Sequence, residues 1–183
     1  MTAPKKSMKD YELTKDQKEC LAKVKYFCDK PDRLNYFLTI TFANQYLTED
    51  SIEEIMQDLL RAMSETFVAK RRYSFKANLC PVIATIVETK TKAGNTTTPH
   101  VHCVLSIHRE TLMKFLPFLR ENSFKKIGRF QKLHPNTIKT SHIVDLYDLD
   151  NLIKYISKNA KNSASAFCVI HAVADANDKD DED

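Results

Sequence analysis

His100 and His102 stand either side of Val101 in the run Pro99-His-Val-His-Cys-Val-Leu-Ser-Ile107. Apolar Val101, Cys103, Leu105 and Ile107 alternate with His100, His102, Val104 and Ser106, mostly polar, the pattern of a half-buried β-strand. Residues two apart on a strand project from the same face. Both imidazoles therefore point one way while the apolar set points into a core. Two histidines on one rigid strand can hold a divalent metal at adjacent vertices. The plain alternative is a pair of polar residues on a wet strand face.

A carboxylate belongs with them. Pro81 to Glu88 reads as another strand, in which Val82, Ala84, Ile86 and Glu88 share a face. Between the two strands, Thr89–Pro99 is polar, contains Gly94-Asn95 and reads as a hairpin loop longer than the usual two to five residues. A hairpin joining these strands sets Glu88 beside His100 and His102. Two imidazoles and one carboxylate with open positions suit Mn²⁺ or Mg²⁺. The alternative for Glu88 is a solvated strand-end carboxylate.

The third chemical element is a phenol. Leu149, Leu152, Ile153 and Ile156 make the buried stripe of a helix running to Asn159, with Asp148 or Asp150 as its cap. Tyr155 and Lys158, three apart, are neighbours on that helix surface. A tyrosine at the border of a core is usually an amphipathic filler. A phenol with a pKa near 10 attacks at neutral pH only with a metal-polarised electrophile or a nearby cation to help it.

These groups need a frame, and the sequence supplies one. Thr14 with Gln17 forms a capping box for a helix to Cys28, which Pro31-Asp32-Arg33 breaks. Asn35 to Phe42 is a strand with Leu38, Ile40 and Phe42 on one face and Thr39 and Thr41 on the other. Thr48 caps an amphipathic helix to about Phe67, whose apolar positions are Ile52, Ile55, Met56, Leu59, Leu60 and Met63. Arg109 to about Arg120 is a helix that Pro117 should kink or shorten. Glu121 to Thr140 reads as irregular and basic, Ile138 to Leu146 as a strand, and Ala166–Val173 as a last edge strand. The order implies one α+β domain over residues 1–174, an antiparallel sheet flanked by helices. Residues 175–183 form an acidic tail, expected to be disordered.

Composition narrows the function. The 183 residues carry a net charge of +4. Residues 175–183 hold six acids and one lysine, so the rest carries +9. A basic body is compatible with a polyanionic partner. Lys70, Arg71 and Arg72 lead into Tyr73, and Lys125, Lys126, Arg129 and Lys132 are interleaved with Phe124 and Phe130. Cations for phosphates and rings for unstacked bases make these the candidate DNA contacts, with His134 a weaker one. With Gly94 and Gly128 the only two glycines, neither a phosphate-binding loop nor a dinucleotide fingerprint is present, so no helicase motor is expected. Five scattered cysteines without a Cys-x-x-Cys pair argue for a reducing cytosol and against a zinc or disulfide framework. No apolar run spans a membrane, and the first residues lack a secretory signal.

Taken in order, the strand Tyr36-Phe-Leu-Thr-Ile-Thr-Phe42, then Pro99-His100-Val-His102, then Tyr155-Ile-Ser-Lys158 resembles the HUH endonucleases. These include the rolling-circle replication initiators (Rep proteins) of small plasmids, phages and single-stranded DNA viruses. The resemblance spans residues 36 to 158 and implies a ferredoxin-like or RRM-like sheet. It implies His100 and His102 as metal ligands, Glu88 as the acidic third ligand, and Mn²⁺ or Mg²⁺ as cofactor. Tyr155 would be the nucleophile on single-stranded or melted origin DNA, leaving a 5′-phosphotyrosine and a free 3′-hydroxyl. Lys158, or Lys154 in its place, would position the phosphate or the phenol. One tyrosine in the last motif matches the single-tyrosine class. Without a helicase of its own, such an initiator would use the host's, in the cytosol or, in a eukaryotic host, the nucleus. Two other readings share parts of this pattern: a single-strand transposase of the insertion-sequence type, and a non-catalytic nucleic-acid binding module.

Overall fold

The computed structural model describes residues 15–68, 73–90, 96–121, 127–146 and 168–171. The elements in chain order are α1 (Lys15–Cys28), β1 (Arg33–Phe42), α2 (Glu49–Phe67), a 3₁₀ segment (Tyr73–Leu79) and β2 (Val82–Lys90). Then follow β3 (Thr96–His108), α3 (Arg109–Glu121), α4 (Gly128–Leu133), β4 (Ile138–Asp145) and β5 (Cys168–His171). The five strands form one antiparallel sheet in the order β4-β1-β3-β2-β5. The α+β class expected from the sequence is what the chain adopts.

One face of the sheet carries the core. Leu38, Ile40 and Phe42 of β1, Val101, Cys103, Leu105 and Ile107 of β3, and Ile83 of β2 are almost wholly buried there. Against them α2 lays Ile52, Met56, Leu59, Met63 and Phe67, joined by Phe115 of α3 and Phe130 of α4. The cap of α2 is as expected: the Thr48 hydroxyl accepts a hydrogen bond from Ser51 N (3.2 Å). Glu49 and Asp50 in the first turn complement the helix dipole.

Among the described residues, α1 is the helix on the opposite face. Val24, Phe27 and Cys28 of α1 face Val82, Ala84, Val104 and Ser106 at one end of it. Arg33 is buried beside them. Its Nε donates to Ser106 Oγ (3.0 Å), its Nη1 to Asn78 O (2.8 Å) and its Nη2 to the carbonyls of Cys80 and Ser106. One guanidinium thus ties β1 and β3 to the chain just ahead of β2. Desolvation by burial lowers its pKa, opposed by the charge of Asp32.

Several expectations need correction. The hairpin between β2 and β3 is shorter than Thr89–Pro99, because Thr96 already pairs with Lys90. A register irregularity falls between Glu88 and Lys90, opposite Pro99. A bulge there accommodates a residue that has no N–H for the ladder. Pro117 does not shorten α3, which continues to Glu121. Part of the segment expected to be irregular, Glu121–Thr140, forms α4, whose six residues are too few to show a period. The 3₁₀ segment was not legible in the sequence. The capping box at Thr14 and Gln17, the helix 149–159 and the tail 175–183 lie outside the described residues.

Two tests follow. Arg33→Lys loses the fork that serves several carbonyls at once, and should lower stability by about 2 kcal/mol in urea unfolding. Ile40→Ala, fully buried, should cost about 3 kcal/mol. Thiol chemistry gives the second. Burial, with the Asp29 charge second, pushes the Cys28 thiol from 9.0 to about 12. Burial also raises Cys103. Both stay protonated at pH 8, so alkylation of the native protein should be slow and should accelerate on unfolding. Because the folded pKa lies above the unfolded one, the stability linked to Cys28 is complete below pH 9. It should decline as pH rises from 9 toward 12.

Candidate active site

His100 and His102 lie on the face of β3 opposite the core, at the end that α1 does not reach. Both side chains are half-buried, while Val101 between them is fully buried. The ring centroids are 5.2 Å apart and nearly perpendicular, at 86°. The alternation expected of this strand is therefore real, and the two imidazoles are neighbours.

Each ring is held from behind. His100 Nδ1–H donates to the carbonyl of Thr98 (3.1 Å). A carbonyl can only accept, so a neutral His100 carries its lone pair on Nε2. His102 Nδ1 and the Thr39 hydroxyl are hydrogen-bonded at 3.1 Å, since Thr39 is the register partner of His102 on β1. The Phe37 ring lies stacked on His102, centroids 5.5 Å apart and 12° from parallel. Backbone carbonyls and hydroxyls acting on Nδ1 are the partners that orient metal-binding imidazoles. Thr39 and Phe37 escaped the sequence reading as site residues. Alternation puts both on the histidine face, but only the β1–β3 register shows which of them meets His102.

Glu88 is the direct register partner of His100 across β2 and β3. The described atoms of Glu88 are those of its backbone. Among the described side chains, no cluster of three or more His, Cys, Asp or Glu stands ready for a metal. What the fold brings together is the histidine pair, with Glu88 at the adjoining backbone position. That donor set fits a hard or borderline divalent ion.

The remaining expectations fall differently. Tyr155 and Lys158 lie outside the described residues, as do Lys70, Arg71, Arg72, Lys125 and Lys126. Arg129 and Lys132 are on α4, on the helix side of the sheet, and are not brought to the histidine face. Arg129 Nη1 is paired with Glu65 of α2 at 2.7 Å. His134 Nε2 meets Asp58 Oδ2 at 2.9 Å. His108, for which no functional role is expected, joins Asp32 (3.0 Å) and accepts from Glu110 N (3.2 Å) at the start of α3. Of the described tyrosines, Tyr36 faces the core. Burial and the nearby Asp145 raise its pKa, which unfits it as a nucleophile.

No protein-family model, curated protein or solved structure matches the chain. No helix among the described residues is long and apolar enough to cross a membrane.

The support behind His102 yields a direct test. Thr39→Val removes the hydroxyl and keeps the strand-forming shape. It should weaken Mn²⁺ binding by about 10- to 100-fold in titration calorimetry while leaving the thermal midpoint nearly unchanged. An unaltered Mn²⁺ affinity would mean that His102 is not a ligand.

Proposed function

We propose that this protein is a metal-assisted tyrosine endonuclease that nicks and rejoins single-stranded DNA, in the manner of the rolling-circle initiators. The observation that carries the reading is the pair His100 and His102 on the face of a central strand opposite the core, each ring oriented through Nδ1. Glu88 in register with His100 supports it. So does the sheet: the order β4-β1-β3-β2, with α2 joining β1 to β2 and α3 and α4 joining β3 to β4, is that of the split βαβ arrangement. Such an arrangement is compatible with the ferredoxin-like, RRM-like frame that the reading calls for.

In this reading His100, His102 and Glu88 hold Mn²⁺ or Mg²⁺. When bound, the ion supplies Lewis-acid polarisation of a phosphate oxygen and orients the phosphate. The Tyr155 oxygen attacks phosphorus and the bond from phosphorus to the 3′-oxygen breaks. The phenol gives up its proton, and the departing 3′-oxygen gains one to become a hydroxyl. The 5′-phosphate remains esterified to Tyr155. One phosphodiester is exchanged for another, so an incoming 3′-hydroxyl can reverse the step and seal a strand. Lys158 offers its charge to the phosphate. The substrate is single-stranded or melted origin DNA, with strand separation left to a host helicase.

The test is covalent capture. The protein is incubated with Mn²⁺ and a pool of single-stranded oligonucleotides, and adducts are resolved on a denaturing gel. Wild type should give a shifted band, Tyr155→Phe none, and His100→Ala/His102→Ala at least about 100-fold less. Chelation with EDTA should match the double histidine variant. An adduct surviving Tyr155→Phe would move the nucleophile elsewhere. Tight binding with no adduct from any oligonucleotide would point to a non-catalytic binding module.

A further inference from the structure

A second feature lies on the helix side of the sheet. Where α4 turns into β4, a cavity of about 260 Å³ opens beside the chain. Phe130 and Ile138, both buried, are its apolar lining, and Gln131, His134, Asn136 and Thr137 are its polar one. We infer that this cavity is a base-binding pocket for one unstacked nucleobase of a single-stranded nucleic acid, separate from the histidine face. The inference rests on the nucleic-acid reading given above and extends its substrate contacts.

Size and chemistry both select a base. The volume lies just under the range of about 300–1,000 Å³ for drug-sized pockets, which suits one heterocycle. The two side-chain amides each donate and accept, the capacity that reads base edges. A phosphate site would need converging cations. Here the Asp58 carboxylate stands directly behind His134, and among the lining residues Lys139 is the one lysine or arginine. An anion gains little beside a carboxylate, whereas a neutral base is indifferent to it.

The walls are set in advance. His134 is pinned by Asp58 on one side and packs against the Phe130 ring, centroids 5.1 Å apart. His134 N donates to Phe130 O (2.8 Å), and Ala43 N to Thr137 O (2.8 Å), fixing both ends of the turn. Asn136 sits at φ 59°, the one non-glycine residue with positive φ among those described. Asparagine tolerates this left-handed conformation best of the residues with a side chain, and keeps its amide beside the cavity.

Topology connects the pocket to the histidines. Thr41 pairs with His100 on one side and Thr140 on the other, and Phe42 pairs with Ile138. Two strand spacings of about 4.8 Å therefore separate His100 from β4. In the described sheet β4 is an edge strand. A DNA strand lying over the histidines crosses β1 and β4 and, on turning over that edge, brings a base to the cavity within a few nucleotides.

The experiment uses the full ¹⁵N-labelled chain in EDTA, so that no cleavage intervenes. Deoxynucleoside monophosphates, a mixed-sequence single-stranded 12-mer and an abasic 12-mer of equal charge are titrated in turn. The side-chain amides of Gln131 and Asn136 should shift with the monophosphates and the 12-mer but not with the abasic strand. Gln131→Ala/Asn136→Gly keeps a good helix former and a residue suited to positive φ. It should weaken the 12-mer about 10-fold and diminish the shifts of the backbone amides of His134 and Thr137, which line the same cavity. Equal shifts with the abasic strand would overturn the proposal in favour of a phosphate contact. Shifts confined to the face of Thr39, His100 and His102 would overturn it while leaving the nuclease reading intact. No binding of the 12-mer anywhere would overturn both.

Discussion

The structure depends on the register of β3. This strand is hydrogen-bonded to β1 along one edge and to β2 along the other, so its position is fixed twice. Because side chains alternate, a slip of one residue would drive Val101, Cys103, Leu105 and Ile107 into water and both histidines into the core. Burying each large apolar side chain contributes about 1.5–3 kcal/mol, more than any single hydrogen bond made by the histidine rings. The placement of His100 beside Glu88 and of His102 beside Thr39 is therefore a consequence of the core. The chemistry rides on a register that hydrophobic burial enforces from the other side of the sheet.

That division of labour extends across the sheet. On the apolar face α2, α3 and α4 remove the core from water. On the other face α1 covers the end where Val82, Ala84, Val104 and Ser106 present small or apolar groups, and the buried Arg33 closes that end. The covered end gives way along β3 to His100 and His102, and along β1 to Phe37, Thr39 and Thr41. Those positions carry imidazoles, hydroxyls and a ring, whose polar groups would be costly to bury without hydrogen-bond partners. A single strand thus serves as core, as helix platform and as the carrier of the histidine pair.

Much of this was legible in the sequence because the governing signals are local and periodic. Strand alternation gave the two faces of β1 and β3, and helical spacing gave α2 with its Thr48 cap. The adjacency of Glu88 and His100 was legible as well, since a hairpin leaves few registers open. The misses have physical causes. Thr96 to Pro99 look like loop because they continue a polar run through Gly94-Asn95 and end in proline, yet a bulge lets the proline sit in a strand. The α4 helix is shorter than two turns, so its periodicity carries no information. The roles of Thr39 and Phe37 arise from pairing between strands sixty residues apart in the chain, which no local pattern encodes. Arg129 looked like a phosphate ligand, but a helix distant in sequence supplies Glu65 against it.

The fate of Arg129 bears on how a polyanion is recognised. Among the described side chains of β1 and β3 on the histidine face, Arg33 is the one lysine or arginine, and it is buried in hydrogen bonds to carbonyls. The described part of that sheet face therefore presents rings, hydroxyls and imidazoles rather than a row of fixed cations. In the proposed reading, attraction of a DNA strand would come from the field of a body carrying +9, which acts over a Debye length of about 8–10 Å and weakens with salt. In the proposed nuclease, contact selectivity would come from short-range groups, Phe37 on His102 and the amides of the α4–β4 turn. Such a surface would favour bases over phosphates, as an enzyme must if it is to choose one phosphodiester among many identical ones. There the diffuse charge would serve non-specific sliding, and stacking and hydrogen bonding would arrest it at a site.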